Sequence, residues 1–518
     1  GIEITTIADI PAGTGMGTSS SFLVGLLNVL HAYKREYIDT KTLAEEASKI
    51  EIDILKEPIG KQDQYAAAYG GMIHLNINKE GKFNVNVSFI YPAQQLGEER
   101  YTKGLWKHYS KEGVIIPQLG IVYLAAILVN QGHNVCIIDA NASRLSVEDV
   151  YRTVKDFSTE IMLFTSITEN FANTLLWIRE LKKRYSVPVI IGGPHTTLYP
   201  KSTMEHKEID ICVIGDGSRR LIDILEVLSN SHKENGLNNI MGILYRSNGE
   251  IHQTESRTDI MGTIDLDNLP LPARHLLPND RYKTVISDRT PITSMLSSSG
   301  CPFKCVYCDT RYSVVMRDPG KVVNEMEYCN MEHGIKEILF YDETFTLNRK
   351  RAVSICDLLI EKNLDLTFSI RTRANTVDEE LIKKLAEAGC VRINYGIESG
   401  NQGILKNLNR NIPLEEIRKA VYWTKKHGIK AFGFFMIGCP GDNHKTINET
   451  INFALSLDLD YVQFNKLTLV PNSELYIRVK ELNQIDYWDE YTKGNFDIVK
   501  TMPRCNIDVT DKELDRLL

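Results

Sequence analysis

The feature that most constrains the fold is a long alternation of short apolar runs with helical stretches, which begins near residue 83 and lasts almost to the end of the chain. The apolar runs are rich in β-branched residues, as are strands that are buried on both faces of a parallel sheet. The helical stretches are long enough to return the chain to the start of a parallel neighbour. The alternation therefore predicts an α/β protein built on parallel strands.

The first series of this alternation, from residue 83 to 262, predicts a doubly wound sheet of five strands. In such a sheet a ligand lies at the carboxyl ends of the strands. The predicted strands are Val85–Tyr91, Val135–Ile138, Ile161–Phe164, Val187–Ile191 and Ile209–Ile214, separated by helices at Leu119–Asn130, Val147–Phe157, Asn173–Lys183 and Leu221–Leu228.

The second series follows a proline-punctuated segment, Leu266–Pro278, which cannot continue a helix or a central strand. It predicts six further parallel strands. Parallel strands that curve into a barrel gather their functional residues at their carboxyl ends. The predicted strands are Ile292–Leu296, Glu337–Tyr341, Leu366–Arg371, Val391–Ile397, Ala431–Ile437 and Tyr461–Leu467.

Three cysteines stand close together in Cys301-Pro-Phe-Lys-Cys305-Val-Tyr-Cys308, directly after Ser298-Ser299-Gly300. Three thiolates at this spacing can hold three corners of a cubane iron–sulfur cluster and leave its fourth iron open. A structural zinc site would use four donors, commonly as two separated pairs, and no second pair follows. The remaining alternative, three ordinary core cysteines, is disfavoured by the loop context.

Length and composition limit the classes of protein to be considered. The chain has 518 residues, which suggests two to four domains, and its 43% hydrophobic and 25% charged residues suit a soluble globular protein. A net charge of −7 without a concentrated basic stretch argues against nucleic acid as the main partner. No apolar run of membrane-spanning length and no signal-peptide layout is present. The ten cysteines, scattered outside the triplet, favour reduced thiols and a cytoplasmic location.

Residues 1–82 contain a glycine-rich segment, Pro11–Ser21, ahead of a helical stretch, where converging backbone N–H groups could hold a phosphate. With Glu51 and Asp63 downstream, the segment resembles the GHMP-type sugar and small-molecule kinases, especially the heptose-phosphate kinase branch. The resemblance implies that Gly15 and Gly17 cradle ATP phosphates. It further implies magnesium ligands and a residue that orients the sugar hydroxyl, namely Ser19 and Glu51 for the metal and Asp63 for the hydroxyl.

Only the middle of such a kinase is represented, and Met16 and Thr18 replace the family's usual Leu and Ser. Phosphoryl transfer needs positioning and water exclusion from both sides of the site. We therefore expect a kinase remnant without kinase activity, joined by recombination, frameshift or assembly error. The chain begins at Gly1 and stops within a helix-like segment, so we also expect it to be part of a longer reading frame.

The loops that end the first series of strands are made of small residues, and with Gly120 and Asp139 they resemble the cobalamin-binding domain fused to many radical enzymes. Small residues leave room for a flat corrin and let backbone amides reach its side chains. The resemblance implies cobalamin contacts from Thr165, Ser166, Gly192, Gly193, Pro194, His195, Gly215, Asp216 and Gly217.

One departure concerns the cobalt ligand. Cobalamin domains that ligate cobalt use Asp-x-His-x-x-Gly, and no histidine follows Asp139 at that spacing. For His195 we favour a local hydrogen-bonding role over metal ligation. The alternative for the whole segment is a doubly wound domain that binds a nucleotide or nothing, because fold does not fix the ligand.

The cysteine triplet and the second series resemble the radical S-adenosylmethionine enzymes, whose partial (βα)6 barrel carries a 4Fe-4S cluster. The resemblance implies that Cys301, Cys305 and Cys308 hold the cluster. It implies S-adenosylmethionine contacts from Tyr307, Asp342, Glu343, Arg371, Glu398, Ser399 and Gly438. As alternatives, Arg371 and Arg373 could be a solvated pair or ion-pair partners of Asp342. Cys439 is interpreted as an inert packed thiol.

Together these resemblances predict five segments: a kinase-like fragment (1–82), a cobalamin domain (83–262), a linker (263–285), a radical S-adenosylmethionine barrel (286–480) and a C-terminal extension (481–518). They imply a 5′-deoxyadenosyl radical that enables methylation of an unactivated carbon. A cyclase or oxidase acting on a tetrapyrrole-like substrate, or a non-catalytic cofactor-binding fusion product, are the alternatives. The expected partners are a small-molecule, lipid or tetrapyrrole-like substrate and a reductant such as flavodoxin or ferredoxin.

Overall fold

The computed structural model describes residues 84–93, 114–229, 236–255, 266–310 and 313–503, together with Leu514 and parts of the first 54 residues. The chain forms two compact units. The first comprises Gly1–Val85, Gln131–Asn134 and Leu221–Ile240, and the second comprises Asn86–Asn130, Val135–Arg220 and Met241–Leu518.

In the first unit, helix α1 (Thr40–Ser48) continues into a π-helical turn at Lys49–Ile54. Its apolar face contributes Leu43 and Ala47 to a small cluster with Val24 and Leu27. Of the residues predicted for the kinase site, Gly15, Gly17, Ser19 and Asp63 lie outside the described residues, as does the side chain of Glu51. The expectations for this segment therefore stay predictions.

The first half of the second unit is a sheet flanked by helices. The elements of residues 86–253 in chain order are β1 (Asn86–Tyr91), β2 (Val114–Ile115), α2 (Leu119–Asn130), β3 (Asn134–Asp139), α3 (Ala140–Ser143), α4 (Val147–Asp156), β4 (Ile161–Thr165), α5 (Phe171–Lys182), β5 (Val189–Gly192), α6 (Pro194–Leu198), α7 (Pro200–Met204), β6 (Ile211–Val213), α8 (Ser218–Ser229), β7 (Ile243–Ser247) and β8 (Glu250–Gln253). Of these, Asn134 and the part of α8 from Leu221 onward belong to the first unit.

The seven strands of this sheet lie in the order β3-β1-β4-β5-β6-β7-β8. Strands β1, β4, β5 and β6 are paired in parallel, whereas β7 and β8 continue the sheet as an antiparallel hairpin. After β1 the chain first builds outward to β3 and then crosses to β4 on the other side. The sheet therefore has its topological switch point between β1 and β4, where doubly wound folds bind ligands.

The second half is a six-stranded parallel sheet with helices over its outer face. Its elements are β9 (Lys283–Thr284), β10 (Ile292–Met295), β11 (Ser298–Ser299), β12 (Val315–Met316), α9 (Pro319–His333), β13 (Glu337–Phe340), α10 (Arg349–Lys362), β14 (Thr367–Thr372), α11 (Glu379–Glu387), β15 (Cys390–Glu398), α12 (Gln402–Asn407), α13 (Leu414–Lys426), β16 (Lys430–Ile437), α14 (His444–Ser456), β17 (Tyr461–Lys466), α15 (Glu474–Asn483) and α16 (Tyr487–Thr492).

The six strands follow chain order, β10-β13-β14-β15-β16-β17, with every pair parallel. Alternate residues such as Phe368, Ile370 and Ile393 pack outward into the main hydrophobic core beneath the helices. Their neighbours on the same strands, including Arg371 and Asn394, consequently face the other side of the sheet. The predicted strand–helix alternation and fold class are confirmed.

The proline-rich connector holds the two halves of the unit together. The Ala273 N–H donates to the Val122 carbonyl at 3.1 Å, and the Tyr282 hydroxyl donates to the Asp139 carboxylate at 2.9 Å. Arg274 is buried and pairs with buried Glu325 at 2.8 Å. In the described part of the chain, no helix combines the length and apolarity needed to cross a bilayer.

Candidate functional site

The cysteine triplet lies in a loop between two short paired strands. Ser298 and Ser299 of β11 pair antiparallel with β12, so the intervening residues close like a wide hairpin at the carboxyl end of the barrel. Cys305 is buried, whereas Cys301 and Cys308 are partly exposed, and all three thiols are free. Burial raises the pKa of Cys301 and Cys308, so their thiolates need compensating charge.

Two guanidinium groups face the central sulfur. The Arg373 Nη1 donates to Cys305 Sγ at 3.5 Å, and the Arg410 Nη1 lies 4.0 Å from the same atom. Both arginines are buried. Arg373 also stacks on the ring of Phe303 at 3.8 Å, which covers it from water.

Arg410 connects the cluster loop to the end of the fourth barrel strand. Its Nη1 donates to the Tyr307 hydroxyl at 3.0 Å and lies 3.5 Å from Glu398 Oε1, and its Nη2 donates to the Gly396 carbonyl. Glu398 has a φ of +70°, an uncommon backbone conformation for a non-glycine residue that is frequently associated with functional sites. The structure thus brings the predicted residues Tyr307 and Glu398 to one charged cluster.

Asp342 supports the cluster loop from below. Its carboxylate is fully buried and accepts hydrogen bonds from the Ser297 N–H at 2.7 Å and from the hydroxyls of Ser297 and Ser298 at 2.6 and 2.5 Å. Burial raises the pKa of this carboxyl despite those bonds. The side chain is thus used inside the protein, and Arg371 and Arg373 are not its ion-pair partners.

The next residue, Glu343, reaches the mouth of the barrel. Its side chain is exposed to solvent, yet the surrounding protein desolvates the carboxyl and raises its pKa. Arg371 lies with its guanidinium 3.9 Å above the ring of Tyr341. Among the described residues it has no hydrogen bond or ion pair, so its donors remain open to a ligand.

Two further residues predicted to contact S-adenosylmethionine, Ser399 and Gly438, lie at strand ends and have no described contact with the cysteine loop. The Ser399 hydroxyl is buried and lies 2.9 Å from the hydroxyl of Thr450 on α14. Gly438 follows β16 with a φ of +80°, where a side chain would be strained and would approach Leu514. This glycine keeps the strand end open, whereas Ser399 serves the packing of α14.

A cavity of about 290 Å³ lies at the switch point of the doubly wound sheet. Three residues predicted for cobalamin, Thr165, Ser166 and Pro194, line it. Asn173 also lines the cavity, and its Oδ1 atom is buried and lacks a hydrogen-bond partner in the described structure. The remaining lining residues are Tyr91, Pro92, Gln118, Gly120, Ile121, Ile167, Asn170 and Thr174.

The loop after β5 requires a glycine at position 193. Gly193 has a φ of +105°, and a Cβ on it would lie 2.6 Å from Thr165 Oγ1 and 2.9 Å from the Ser166 carbonyl. The loops after β4 and β5 therefore approach more closely than a side chain would permit. Gly192 ends β5, and a Cβ on it would meet only Val213 Cβ at 3.8 Å, so this glycine is not required in the same way.

His195 and the Gly215–Gly217 loop serve the domain itself. The His195 ring is fully buried, with its nitrogens 3.3 Å from Thr168 Oγ1 and 3.1 Å from Thr203 Oγ1. This geometry favours the local hydrogen-bonding role over metal ligation. The Gly215 N–H donates to Thr197 Oγ1 at 2.9 Å, and the Asp216 carboxylate accepts from Ser218 at the start of α8. Gly217 lies between them, and none of these residues lines the cavity.

The residues present fit the three expected cofactors. No set of three metal-ligating side chains converges on one point among the described residues, so holding a cluster requires the three thiols to turn toward one another. Buried cations at Cys305 suit an anionic metal–sulfur group. The unpartnered Asn173 oxygen suits a ligand that carries amide donors, because buried polar atoms otherwise find partners.

Comparison with known families matches this geometry. Residues 295–454 match the Radical SAM superfamily, residues 110–225 match the B12 binding domain, and residues 1–71 match the GHMP kinases N terminal domain. An uncharacterised methyltransferase of Pyrococcus horikoshii is 34% identical over 388 residues, which is 73% of this chain and 82% of that protein. The chain belongs to the cobalamin-binding radical S-adenosylmethionine enzymes. Its predicted enzyme class and its cofactors, a 4Fe-4S cluster, S-adenosylmethionine and cobalamin, are confirmed by this membership.

More distant relatives share the same two domains. The anaerobic magnesium-protoporphyrin IX monomethyl ester cyclase of Rubrivivax gelatinosus is 26% identical over 79% of this chain and 72% of its own length. The solved structure of the methyltransferase TsrM from Kitasatospora setae aligns with a TM-score of 0.59 at 17% identity, covering 77% of this chain and 75% of that one. At that identity the likeness establishes the fold.

Three residues of the two candidate cofactor sites, Arg410, Tyr91 and Asn173, were not predicted from the sequence. Arg410 stands in a polar loop after α12, where nothing in the sequence separates it from a solvated arginine. Tyr91 and Asn173 reach the cavity only because β1 and α5 meet at the switch point. The order of the strands, which would have indicated Tyr91, cannot be obtained from strand–helix alternation alone.

Proposed function

We propose that this protein transfers a methyl group to an unactivated carbon, using both cofactor sites in one reaction. The observation that carries the proposal is their proximity within one compact unit. Val306 and Tyr307 of the cysteine loop belong to the same hydrophobic cluster as Ile90 and Phe164 of the doubly wound sheet. The negative charge of Asp309, next to Cys308, adds to the burial that raises the pKa of Glu169 on the cobalamin side.

When bound, the cluster would supply the electron for reductive cleavage of S-adenosylmethionine to a 5′-deoxyadenosyl radical, and cobalamin would supply the methyl group. The protein supplies orientation and solvent exclusion. Cys301, Cys305 and Cys308 would hold the cluster, and Glu398 would engage the ribose or amino group through an oxygen already held by Arg410. The apolar cluster around Val306 keeps water from the space between the sites, which protects a reactive radical.

The remaining S-adenosylmethionine contacts follow from open donors and acceptors at the barrel mouth. Arg371, whose guanidinium has no hydrogen bond or ion pair to another described residue, suits the methionine carboxylate. Glu343, with its side chain in solvent, suits the amino group. Asp342 would act indirectly, by fixing Ser297 and Ser298 ahead of the cysteine loop. The domain boundaries at 82, 262, 285 and 480 belong to the same proposal.

Anaerobic reconstitution with iron and sulfide tests this function. The protein is then loaded with cobalamin, reduced with dithionite and given S-adenosylmethionine. We expect 5′-deoxyadenosine together with S-adenosylhomocysteine, the product left when S-adenosylmethionine donates its methyl group. Absence of an iron–sulfur spectrum or of both products would contradict the proposal.

A cyclase acting on a tetrapyrrole-like substrate is the second candidate, supported by the cyclase relative from Rubrivivax gelatinosus. The same assay separates the two functions. A cyclase would form 5′-deoxyadenosine without S-adenosylhomocysteine, because no methyl group is transferred.

We also propose a flavodoxin or ferredoxin as the physiological reductant and the cytoplasm as the location. All nine cysteines in the described part of the chain are free, as expected in a reducing compartment. Replacing dithionite with reduced flavodoxin should sustain 5′-deoxyadenosine formation. Product formation with dithionite but not with reduced flavodoxin or ferredoxin would contradict the choice of reductant.

A further inference from the structure

The three cysteines of the cluster loop differ in the charges around them. Cys305 faces the guanidinium groups of Arg373 and Arg410 at 3.5 and 4.0 Å. Cys305 is the cysteine of the three for which the described contacts place two guanidinium groups this close to the sulfur.

The two arginines at Cys305 are not equivalent. Arg410 has a carboxylate partner, since its Nη1 lies 3.5 Å from Glu398. Within the described residues, Arg373 has no carboxylate at ion-pair distance. Its hydrogen bonds go to Cys305 Sγ and, at 3.4 Å, to the side-chain oxygen of Asn375.

A buried cation without an anion is costly to maintain. Phe303 covers the Arg373 guanidinium at 3.8 Å, so water screens it poorly and its field at Cys305 remains strong. The potential of an iron–sulfur cluster depends on nearby charge and on hydrogen bonds to its sulfur ligands. Reduction adds one negative charge, which a neighbouring uncompensated cation stabilises.

We propose that Arg373 is a positioning residue that raises the reduction potential of the cluster by holding an unneutralised positive charge against Cys305. The inference rests on the proposed function to the extent that the three cysteines hold the cluster. It adds a residue that sets how readily the cluster accepts the electron needed to cleave S-adenosylmethionine.

A redox titration of the reconstituted protein, followed by the electron paramagnetic resonance of the reduced cluster and made without S-adenosylmethionine, tests the proposal. For Arg373→Gln we expect the ratio of reduced to oxidised cluster at a fixed potential to fall at least tenfold, which is about 59 mV for one electron. Arg373→Lys keeps the charge and should shift the potential less. The matched control is Arg418→Gln, which removes the same charge from an arginine of α13 that also lies over a phenylalanine ring, 4.7 Å from the centre of Phe453, and should leave the potential unchanged.

A second variant addresses the case in which Arg373→Gln fails to retain a cluster. Asn375→Asp changes an exposed residue and places a carboxylate against Arg373 while leaving the guanidinium present. It should lower the potential in the same direction. Unchanged potentials in Arg373→Gln and Asn375→Asp, or equal shifts in Arg373→Gln and Arg373→Lys, would overturn the inference. If the unmodified protein assembled no cluster, the proposed function itself would fail.

Discussion

The two ends of the barrel both contain buried arginines, but they treat them differently. At the amino ends of the strands, Arg392 pairs with Glu337 at 3.4 Å. The other oxygen of Glu337 accepts the backbone N–H groups of Asp288 and Arg289 at 2.9 and 3.2 Å. At the carboxyl ends, Arg373 has a thiol where a carboxylate would be expected.

This difference suggests that Arg392 stabilises the fold through its ion pair, whereas the positive charge of Arg373 is available to an anionic ligand. Buried ions in folded proteins are usually paired, because a buried charge without a partner loses its hydration energy and gains no compensating interaction. The amino-end pair meets that condition with protein groups alone. Arg410, at the carboxyl end, also has a carboxylate partner in Glu398, whereas Arg373 meets the condition only when an anionic group occupies the cysteine loop.

The largest effect, on both cluster content and activity, is expected from removing the thiol of Cys305, which would ligate the anionic cluster. Cys305→Ala should abolish cluster assembly and with it all 5′-deoxyadenosine formation, because the remaining two thiols cannot hold a cubane. Iron content and the visible absorption of the reconstituted protein measure the first loss. Cys439→Ala, which also removes one buried thiol, is the control and should retain both. If the Cys305→Ala variant still assembled a cluster, Cys305 would not be a required cluster ligand, and the comparison of the two ends of the barrel would fail.

Removing the ion pair Arg392–Glu337 at the amino ends of the strands should lower the stability of the fold. Arg392→Met leaves Glu337 buried without its cation, and we expect the free energy of unfolding to fall by about 3–5 kcal/mol. Urea unfolding of the cofactor-free protein measures it. Arg392→Met combined with Glu337→Leu should recover part of the loss, since both charges are then gone. A loss below about 1 kcal/mol in the single variant would show that this pair does not hold the fold.

Much of this architecture could be predicted from sequence. Helix α2 begins and ends where its apolar run does, and the strands of the barrel agree with prediction to within about two residues. The antiparallel hairpin β7–β8 was missed, although its Asn248-Gly249 turn, with φ values of +50° and +83°, is a strong hairpin signal.

The candidate site was harder to predict, because its side chains are selected by three-dimensional proximity. Asp342 was correctly placed at a strand end, but only the structure shows that Ser297 and Ser298 take up its carboxylate. Arg410 was missed altogether, because its partner Tyr307 is 103 residues away along the chain and Glu398 lies on the other side of α12. Strand-end position identifies candidates, and the hydrogen-bond partners then decide which of them remain open to a ligand.

His195, whose two ring nitrogens already have hydrogen-bond partners, tests whether such a buried residue stabilises the fold and does not bind a cofactor. Burial, helped by the neighbouring charge of His206, lowers the pKa of His195 to about 3. Because the unfolded chain binds this proton near pH 6.5, the stabilising contribution is complete above that pH and is lost as the pH falls toward 3. Between pH 7 and pH 5 we expect a loss of about 2 kcal/mol from this residue.

Urea unfolding of the protein and of His195→Gln at both pH values isolates that contribution, since His206 titrates in both. The absorption spectrum of bound cobalamin should be the same in the two proteins. A changed spectrum would indicate that His195 contacts the cofactor. If the free energy of unfolding depended on pH equally in both proteins, His195 would not contribute to the pH dependence of stability.

The smallest stability effect is expected at Arg373, and it is the sharpest test of the comparison. In the cofactor-free protein Arg373→Gln removes a buried charge that no described carboxylate neutralises, so the free energy of unfolding should change by less than about 1 kcal/mol. The same urea experiment that reports Arg392→Met measures it. If Arg373→Gln destabilised the cofactor-free protein as strongly as Arg392→Met, both ends of the barrel would use arginine in the same structural way. A small change at Arg373 beside a large one at Arg392 would instead show that the carboxyl end holds its charge for the ligand.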